Sequence, residues 1–555
     1  MKTGNGLVFV PLGGAEEIGM NLNLYGLEDK WLMIDLGVAF GEDRLPGIDI
    51  IMPDPQFIVE HRKDLLGLVL THGHEDHLGA VKYLWPRLKC PIYATPFTAE
   101  LLHSKLSESN FRDEVGLTKV SLGERFSIGP FDLEFISTTH SIPEPNAIAL
   151  RTKLGTVVHT GDFKIDRKPI IGEAFDSSTL SRIGDEGVLA VVCDSTNVFE
   201  EKESGSESLL RDTFDKIIAE TEGIVGVTTF ASNVARIQTV VEAAIRNDRH
   251  AVLIGRSLIR TVQVARAAGY LSELPDFIAE KDIGLLPRDK VLLICTGSQG
   301  EPRGALSRIS YGQNRNIEFK SGDTIIFSSK IIPGNEKAIG RLQNQLAVLG
   351  VDVVTESDAL VHVSGHPSRV ELAEMYALTR PEIAIPVHGE RRHIAEHAKL
   401  AKKLQIPEAI EVNNGSLVHL APGKARVIAE VQSGKLALNG SQVVSVDSTL
   451  IKERKKLMHE GLISLTLVVG PTGDLKKTPN FISRGVFDDT NVDAIEDLVV
   501  IVRHSLKECP KKIIRCDDLL AKEMKKVLRK VIRNNWNSKP EIVVEVMRIE
   551  ECLKV

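Results

Sequence analysis

From residue 7 the chain sets short apolar runs between glycine turns: LVFVPLGG, then NLNLYG, then WLMIDLG. Runs this short, broken by Gly, predict β-strands joined by tight turns. LLGLVLT (65–71) predicts another buried strand, and LGAVKYLWPRL (78–88) behind it has helical spacing. FDLEFIST, TVVHTGD and VLAVVCDST predict further strands. The polar FEEKESGSES (199–208) reads as a flexible crossover between domains. From about 209 to 360, helical patterns alternate with the apolar runs GIVGVTTF, AVLIG, VLLICTG, TIIFSS and VDVVT, which predicts a parallel α/β sheet. From 361 the chain returns to short runs, LVHVSGH and IAIPVHGE, predicted as strands with histidines at their ends. The stretch 421–442 predicts short strands and turns. The tail from about 455 alternates LISLTLVV, DAIEDLVVIVRHSL, LLAKEMKKVLRKVIRNNW and EIVVEVMRI, a small α/β module. The basic face of its helix KEMKKVLRKVIRNNW is read as solvated.

The length, 555 residues, suits three or four such domains. No apolar run approaches the roughly 18 residues of a membrane span, so no membrane role is expected. The start, MKTGNGLVFV, lacks the regions of a signal peptide and heads into a strand. The cysteines Cys90, Cys193, Cys295, Cys509, Cys516 and Cys552 form no Cys-x-x-Cys pair, which argues against a thiolate zinc site. Most lie in apolar runs and read as buried free thiols, so a reducing, cytoplasmic setting is expected. The formal net charge of −7 argues mildly against a nucleic-acid partner. A groove can still be locally basic, and carboxylates that hold cations count as negative here although the ions offset them.

The densest chemistry lies in THGHEDHLGA (71–80), directly after a predicted strand. Neutral imidazole and carboxylate suit zinc and related ions. His72 and His74 can grip one ion, and Asp76 and His77 a second. Three further candidates also end apolar runs: His140 in FISTTHSIP, Asp162 in VVHTGDFK and His388 in IAIPVHGE. Together these are five histidines and two carboxylates, enough for a two-metal site with an open position. Asp35, ending WLMID, is a carboxylate placed to orient a ligand from behind.

The set His72, His74, Asp76, His77, His140 and Asp162 resembles the metallo-β-lactamase superfamily. That resemblance implies an α/β fold, an αββα sandwich with metals at one edge of two packed sheets, in which Asp162 bridges both ions. The distance from Asp162 to His388 resembles the β-CASP branch, which carries an inserted parallel α/β domain and cleaves nucleic-acid phosphodiesters. Asp194 in VVCDSTN, His366 in VSGHP and His388 in PVHGE match its later motifs. The segments HGHEDHLGA, TTHSIP, HTGDFK, DSTN, TTFASN, CTGSQGEP, IPGNE, VSGH and PVHGE together resemble the ribonuclease J family. Val363 departs from the small residue or threonine usual there.

The resemblance implies residues 1–205 and 363–430 as the metallo-β-lactamase domain and 206–362 as the β-CASP insert. It leaves 431–455 as a linker and 456–555 as a small α/β C-terminal domain. It further implies a 5′→3′ exonuclease preferring 5′-monophosphate ends, with endonuclease activity, in RNA maturation and decay. The cofactors would be two divalent ions, zinc first and manganese as the alternative. The partners would be single-stranded RNA, further copies in a dimer or tetramer, and an RNA-degradation complex. The catalytic set would be Asp162, Asp194, His366 and Asp35, with His366 as proton donor to the leaving 3′-oxygen. Ser232, Asn233, His362, Ser364 and His366 would meet the RNA, the first four at the 5′ phosphate. Read without the family, Asn233 is the N-cap of the helix VARIQTVVEAA. Three rivals remain at this point: a DNA nuclease of the same branch, a small-molecule metallo-hydrolase and a non-catalytic RNA-binding scaffold. The long insert and His366 speak against the small substrate, and the intact ligand set speaks against the scaffold.

Overall fold

The apolar runs of the first two hundred residues build two sheets that face each other in the computed structural model, which describes residues 4–41, 44–332, 334–488 and 492–549. One sheet has eight strands, in the order Arg426–Glu430, Ser416–Ala421, Leu7–Gly13, Leu22–Leu27, Lys30–Ile34, Leu65–Val69, Ile92–Ala94, Leu117–Lys119. The other has seven: Arg125–Ile128, Phe131–Ser137, Asn146–Thr152, Gly155–His159, Ala190–Asp194, Ile383–Val387, Glu408–Ala409. Phe9, Tyr25, Leu32 and Ile34 from the first sheet meet Phe131, Phe135, Ile148 and Val192 from the second in one buried core. The outer face of the second sheet is covered by Leu180, Leu372, Met375 and Leu400 from flanking helices. The result is the αββα sandwich.

Strand order in the second sheet places the chemistry. Gly155–His159, Ala190–Asp194 and Ile383–Val387 are parallel neighbours, with His159 opposite Val192 and Asp194 opposite Val387. Their C-terminal ends therefore lie side by side, although the chain runs over two hundred residues from the first to the last.

The insert is a five-stranded parallel sheet in the order His250–Ile254, Val291–Cys295, Val225–Thr228, Thr324–Phe327, Asp352–Val354. Ile224, Leu293, Ile325, Leu342 and Leu346 fill a core of its own. Phe40–Ile50 and the chain from Ala437 onward form a second compact unit. There a sheet in the order Asn480–Arg484, Leu462–Val469, Glu541–Arg548 packs on the helices Val492–Glu508 and Asp517–Trp536 through Leu465, Leu498, Met524 and Ile542.

Two expectations change. Val361–Ser364, read as a strand, is loop. The Val361 carbonyl accepts from the Arg236 guanidinium and the Ser328 hydroxyl instead of from a neighbouring strand. The stretch 431–455, read as a linker, holds the strands Lys435–Asn439 and Gln442–Ser445 and the start of the helix Thr449–Glu460. Leu436, Ala437 and Ile451 are buried there, so the segment is packed structure. Cys90, Cys193 and Cys295 are buried free thiols, while Cys509 is half-buried and Cys516 exposed. Cys552, and Pro333 of the IPGNE segment, lie outside the described residues.

Candidate metal centre

Leu65–Val69 runs into the sheet core and delivers Thr71 and His72 at its C-terminal end. A single helical turn, Glu75–Leu78, then carries Asp76 and His77. The turn lies so close to Gly37 that a Cβ there would meet the Asp76 carbonyl at 1.6 Å, so only glycine fits.

His72, His74 and His140 converge. His72 Nε2 lies 3.1 Å from His74 Nδ1, and His140 Nε2 lies 3.0 Å from the same atom. Asp76, His77, Asp162 and His388 form a second cluster. His77 Nε2 is 3.1 Å from Asp162 Oδ2, and His388 Nε2 is 3.1 Å from Asp76 Oδ2. Asp162 Oδ2 also reaches His72 at 3.9 Å and His140 at 3.8 Å, so this one oxygen stands between the clusters. It is buried and forms no hydrogen bond of good geometry among the described residues, although His77 Nε2 lies 3.1 Å away. A buried carboxylate oxygen left this way is costly unless a cation meets it. The donor set, imidazole nitrogens plus this oxygen, fits two divalent ions.

Burial pushes His72 and His140 well below the usual imidazole range and His74 to about 4. These rings are neutral at neutral pH, the form that binds a cation. Burial also opposes charge on His77 and His388, but the Asp162 carboxylate and its neighbours outweigh it and raise both. For Asp162, burial opposes ionisation, and the His388 and His77 charges outweigh it.

Four of the five rings are aimed from behind. Asp35, buried at φ 62, accepts from Thr71 N at 2.8 Å and from His77 Nδ1 at 2.7 Å. That bond leaves His77 Nε2 facing the cluster. Thr71 Oγ1 donates to Asp35 Oδ2 at 2.8 Å and accepts from His72 Nδ1 at 3.0 Å, with the same effect on His72. His140 Nδ1 donates to the Gly365 carbonyl at 2.5 Å. Thr196 Oγ1 donates to Asp194 Oδ1 at 2.6 Å and accepts from His388 Nδ1 at 2.8 Å.

Four family models match along the chain. Residues 21–193 match the metallo-beta-lactamase superfamily and 222–346 the ribonuclease J beta-CASP domain. Residues 350–412 match the Zn-dependent metallo-hydrolase RNA specificity domain and 449–549 the ribonuclease J C-terminal domain. Over 550 residues the chain is 44% identical to a protein named Ribonuclease J from Sinorhizobium meliloti, spanning 98% of this chain and 97% of that one. The chain belongs to the ribonuclease J family. A Corynebacterium glutamicum protein of the same name is 35% identical, over 98% of this chain and 76% of its own length. A crystal structure of an Enterococcus faecalis protein of unknown function covers 75% of this chain and all of its own, with TM-score 0.53 and 16% identity, which speaks for the fold alone.

Beside the metal cluster, this ribonuclease J family chain places His366 Nδ1 2.8 Å from Asp194 Oδ2 and 3.8 Å from Asp162 Oδ2. Burial opposes its charge, but the Asp194 and Asp162 carboxylates raise it above the usual imidazole range. Ser364 Oγ accepts from Asn197 Nδ2 at 2.7 Å and from His366 N at 3.2 Å, which leaves its O–H to donate elsewhere. His362 Nδ1 is buried without a partner among the described residues. Burial, then the Arg236 charge, push that ring to about 3, so it is neutral. Ser232 sits half-buried in the turn before the helix Val234–Arg246. The Asn233 side chain is spent inside the protein. Its Oδ1 accepts from Arg236 N at 2.9 Å, the N-cap bond, and its Nδ2 donates to Glu207 at 3.3 Å.

Sequence reasoning missed Thr71, Thr196, Asn197 and Asn21. The two threonines lie inside the motifs THGHEDH and DSTN, where a hydroxyl beside a ligand was the available signal. Asn21, whose Nδ2 donates to the Asp76 carbonyl at 3.1 Å, is 55 residues from its partner and had none.

Proposed function

We propose that this metal-dependent ribonuclease hydrolyses RNA phosphodiesters by a two-metal mechanism. It acts as a 5′→3′ exonuclease that prefers 5′-monophosphate ends and also cuts internally, in RNA maturation and decay. The observation that carries the reading is the buried Asp162 Oδ2, set within 4 Å of ligand nitrogens from both clusters.

His72, His74, His140 and Asp162 would hold one ion, and Asp76, His77, Asp162 and His388 the other. When bound, such a pair supplies an activated nucleophile and offsets the charge that grows on the phosphoryl oxygens. The rest falls to this chain's own side chains. Asp194 holds the Nδ1 proton of His366, which leaves Nε2 to give a proton to the departing 3′-oxygen. The raised proton affinity of His366 favours that charged donor form. Thr196 ties Asp194 to His388, so the proton donor and a metal ligand share one anchor. The Ser364 hydroxyl and the neutral His362 ring would donate to a terminal phosphate. Ser232 and the helix N-terminus behind Asn233 would add backbone donors.

Zinc is the metal we assign, with manganese as the alternative the same ligands admit. The substrate is single-stranded RNA. A homodimer or tetramer, an RNA-degradation complex and a cytoplasmic setting complete the reading. Among the described residues no helix is long and apolar enough to cross a membrane. One RNA carrying a 5′-monophosphate, 5′-triphosphate or 5′-hydroxyl, digested with and without chelator, tests it. Mononucleotides should come from the monophosphate form and stop with chelator. Equal rates from all three ends would remove the pocket, and indifference to chelator would remove the metals.

A further inference from the structure

A buried ion pair stands where the crossover meets the inserted domain. Glu207, at the end of the crossover, is 4% exposed, and Arg236, in the first turn of Val234–Arg246, is fully buried. Arg236 Nε donates to Glu207 Oε2 at 2.8 Å and Nη2 donates to Oε1 at 2.8 Å, a two-pronged fork. The remaining nitrogen, Nη1, donates to the Ser328 carbonyl at 2.9 Å and to the Val361 carbonyl at 3.3 Å. The Ser328 hydroxyl donates to the same Val361 carbonyl at 2.7 Å. Glu207 Oε1 also takes the Asn233 amide. One carboxylate–guanidinium pair thus holds the residue before His362 and the residue after Ser232.

The same crossover is pinned to the metal centre. Lys164, two residues past Asp162 and 2% exposed, donates its ammonium to the Gly205 carbonyl at 2.9 Å. Its backbone N–H donates to the Thr139 carbonyl at 2.7 Å, one residue before His140. A run of strong, buried bonds therefore joins the strand ends that carry Asp162 and His140 to the loop that carries His362. A buried pair of this kind adds little net stability over an apolar pair of the same shape, so geometry is what it secures.

We propose that Glu207 and Arg236 are positioning residues for recognition of the RNA 5′ end. They hold the phosphate pocket at the distance from the metal centre that makes the terminal bond the one cut. This inference rests on the pocket reading given above.

The test uses full-length Arg236→Lys, Arg236→Met and Glu207→Gln chains. Arg236→Lys keeps the charge and loses the fork, so it and Glu207→Gln carry the test if the methionine variant does not fold. Circular dichroism and zinc content establish that each chain is folded and loaded. The readouts are kcat and KM on 5′-monophosphate and 5′-hydroxyl RNA, and internal cleavage of a circular RNA, which has no end. The expected result is a ten- to hundredfold fall in monophosphate-over-hydroxyl preference, on the order of what a small misplacement costs. It should appear mainly in KM, exceed any change on the circle and leave zinc content at the wild-type level. Folded variants that keep the wild-type preference would overturn the proposal alone, as would equal losses on linear and circular RNA. A wild-type enzyme with no preference would overturn the pocket reading and this inference with it.

Discussion

Replacing Asp35 by alanine and by asparagine separates two things its carboxylate does. In Asp35→Ala, the buried Thr71 N–H, Thr71 O–H and His77 Nδ1–H all lose their acceptor. Each stranded donor costs about 1–3 kcal/mol, so the metal-free protein should lose roughly 3–9 kcal/mol. The bond that the Thr71 hydroxyl accepts from His72 Nδ1 remains but gives its proton no new acceptor. In Asp35→Asn, one oxygen still serves Thr71 N–H, but an NH2 group now faces His77 Nδ1. Two donors at the wild-type 2.7 Å are incompatible, so the ring moves its proton to Nε2. There it meets Asp162 Oδ2, 3.1 Å away, and the lone pair needed for the metal is gone. Loss of such an orienting partner typically lowers metal affinity by about 10–100-fold. Zinc affinity of the metal-free chains is read by competition with a chromogenic chelator, and stability by denaturant unfolding of the same samples. Asp35→Asn should lose affinity with little loss of stability, and Asp35→Ala should lose both. Wild-type zinc affinity in Asp35→Asn, or equal destabilisation by the two changes, would refute the reasoning.

Glu207 predicts an acid limb. Burial opposes its ionisation, and the Arg236 charge and hydrogen bonds, with Lys164, outweigh that and hold it at about 2 against an ordinary 4.5. A carboxyl lowered in the folded state stabilises fully above its unfolded value and loses that contribution as pH falls through the folded one. On the order of 3 kcal/mol is at stake, so the melting-temperature gap between wild type and Glu207→Gln should shrink from about pH 5 to about pH 2. A constant gap would contradict the assignment. His366→Ala should lower kcat by roughly 10²–10⁴ while zinc content holds, as expected for loss of a proton donor; a change of only a few-fold, or lost zinc, would assign the ring another role. A chain ending near residue 450 should sediment with fewer subunits than the full chain, and an unchanged number of subunits would count against the tail as an oligomer contact.

Where sequence reading erred, long-range bonding was the cause. LVHVSGH alternates like a strand, yet the bonds of its Val361 carbonyl go to Arg236 and Ser328, which no local pattern connects to it. The short strands expected in SGKLALNGSQ do form, but the domain division that made 431–455 a linker fails, because Leu436 and Ala437 are buried. Asn233 was weighed both as helix cap and as phosphate contact, and the side chain is committed to the cap and to Glu207. The cap was visible because it acts within three residues. Glu207 lay unnoticed in a polar stretch that looked solvated.

Residue types and short spacings sufficed to name the seven ligand candidates, since a ligand at the end of an apolar strand leaves a local mark in the chain. Their convergence is a matter of strand order. Asp162, Asp194 and His388 follow or end three strands that are parallel neighbours in one sheet, while His72, His74, Asp76 and His77 follow a strand of the facing sheet. Pairing and packing remove the sequence distance between them. The hydroxyls, carboxylate and carbonyl that aim four of the imidazoles come from whichever segment the fold brings behind them, because a hydrogen bond depends on position in space and not on separation along the chain.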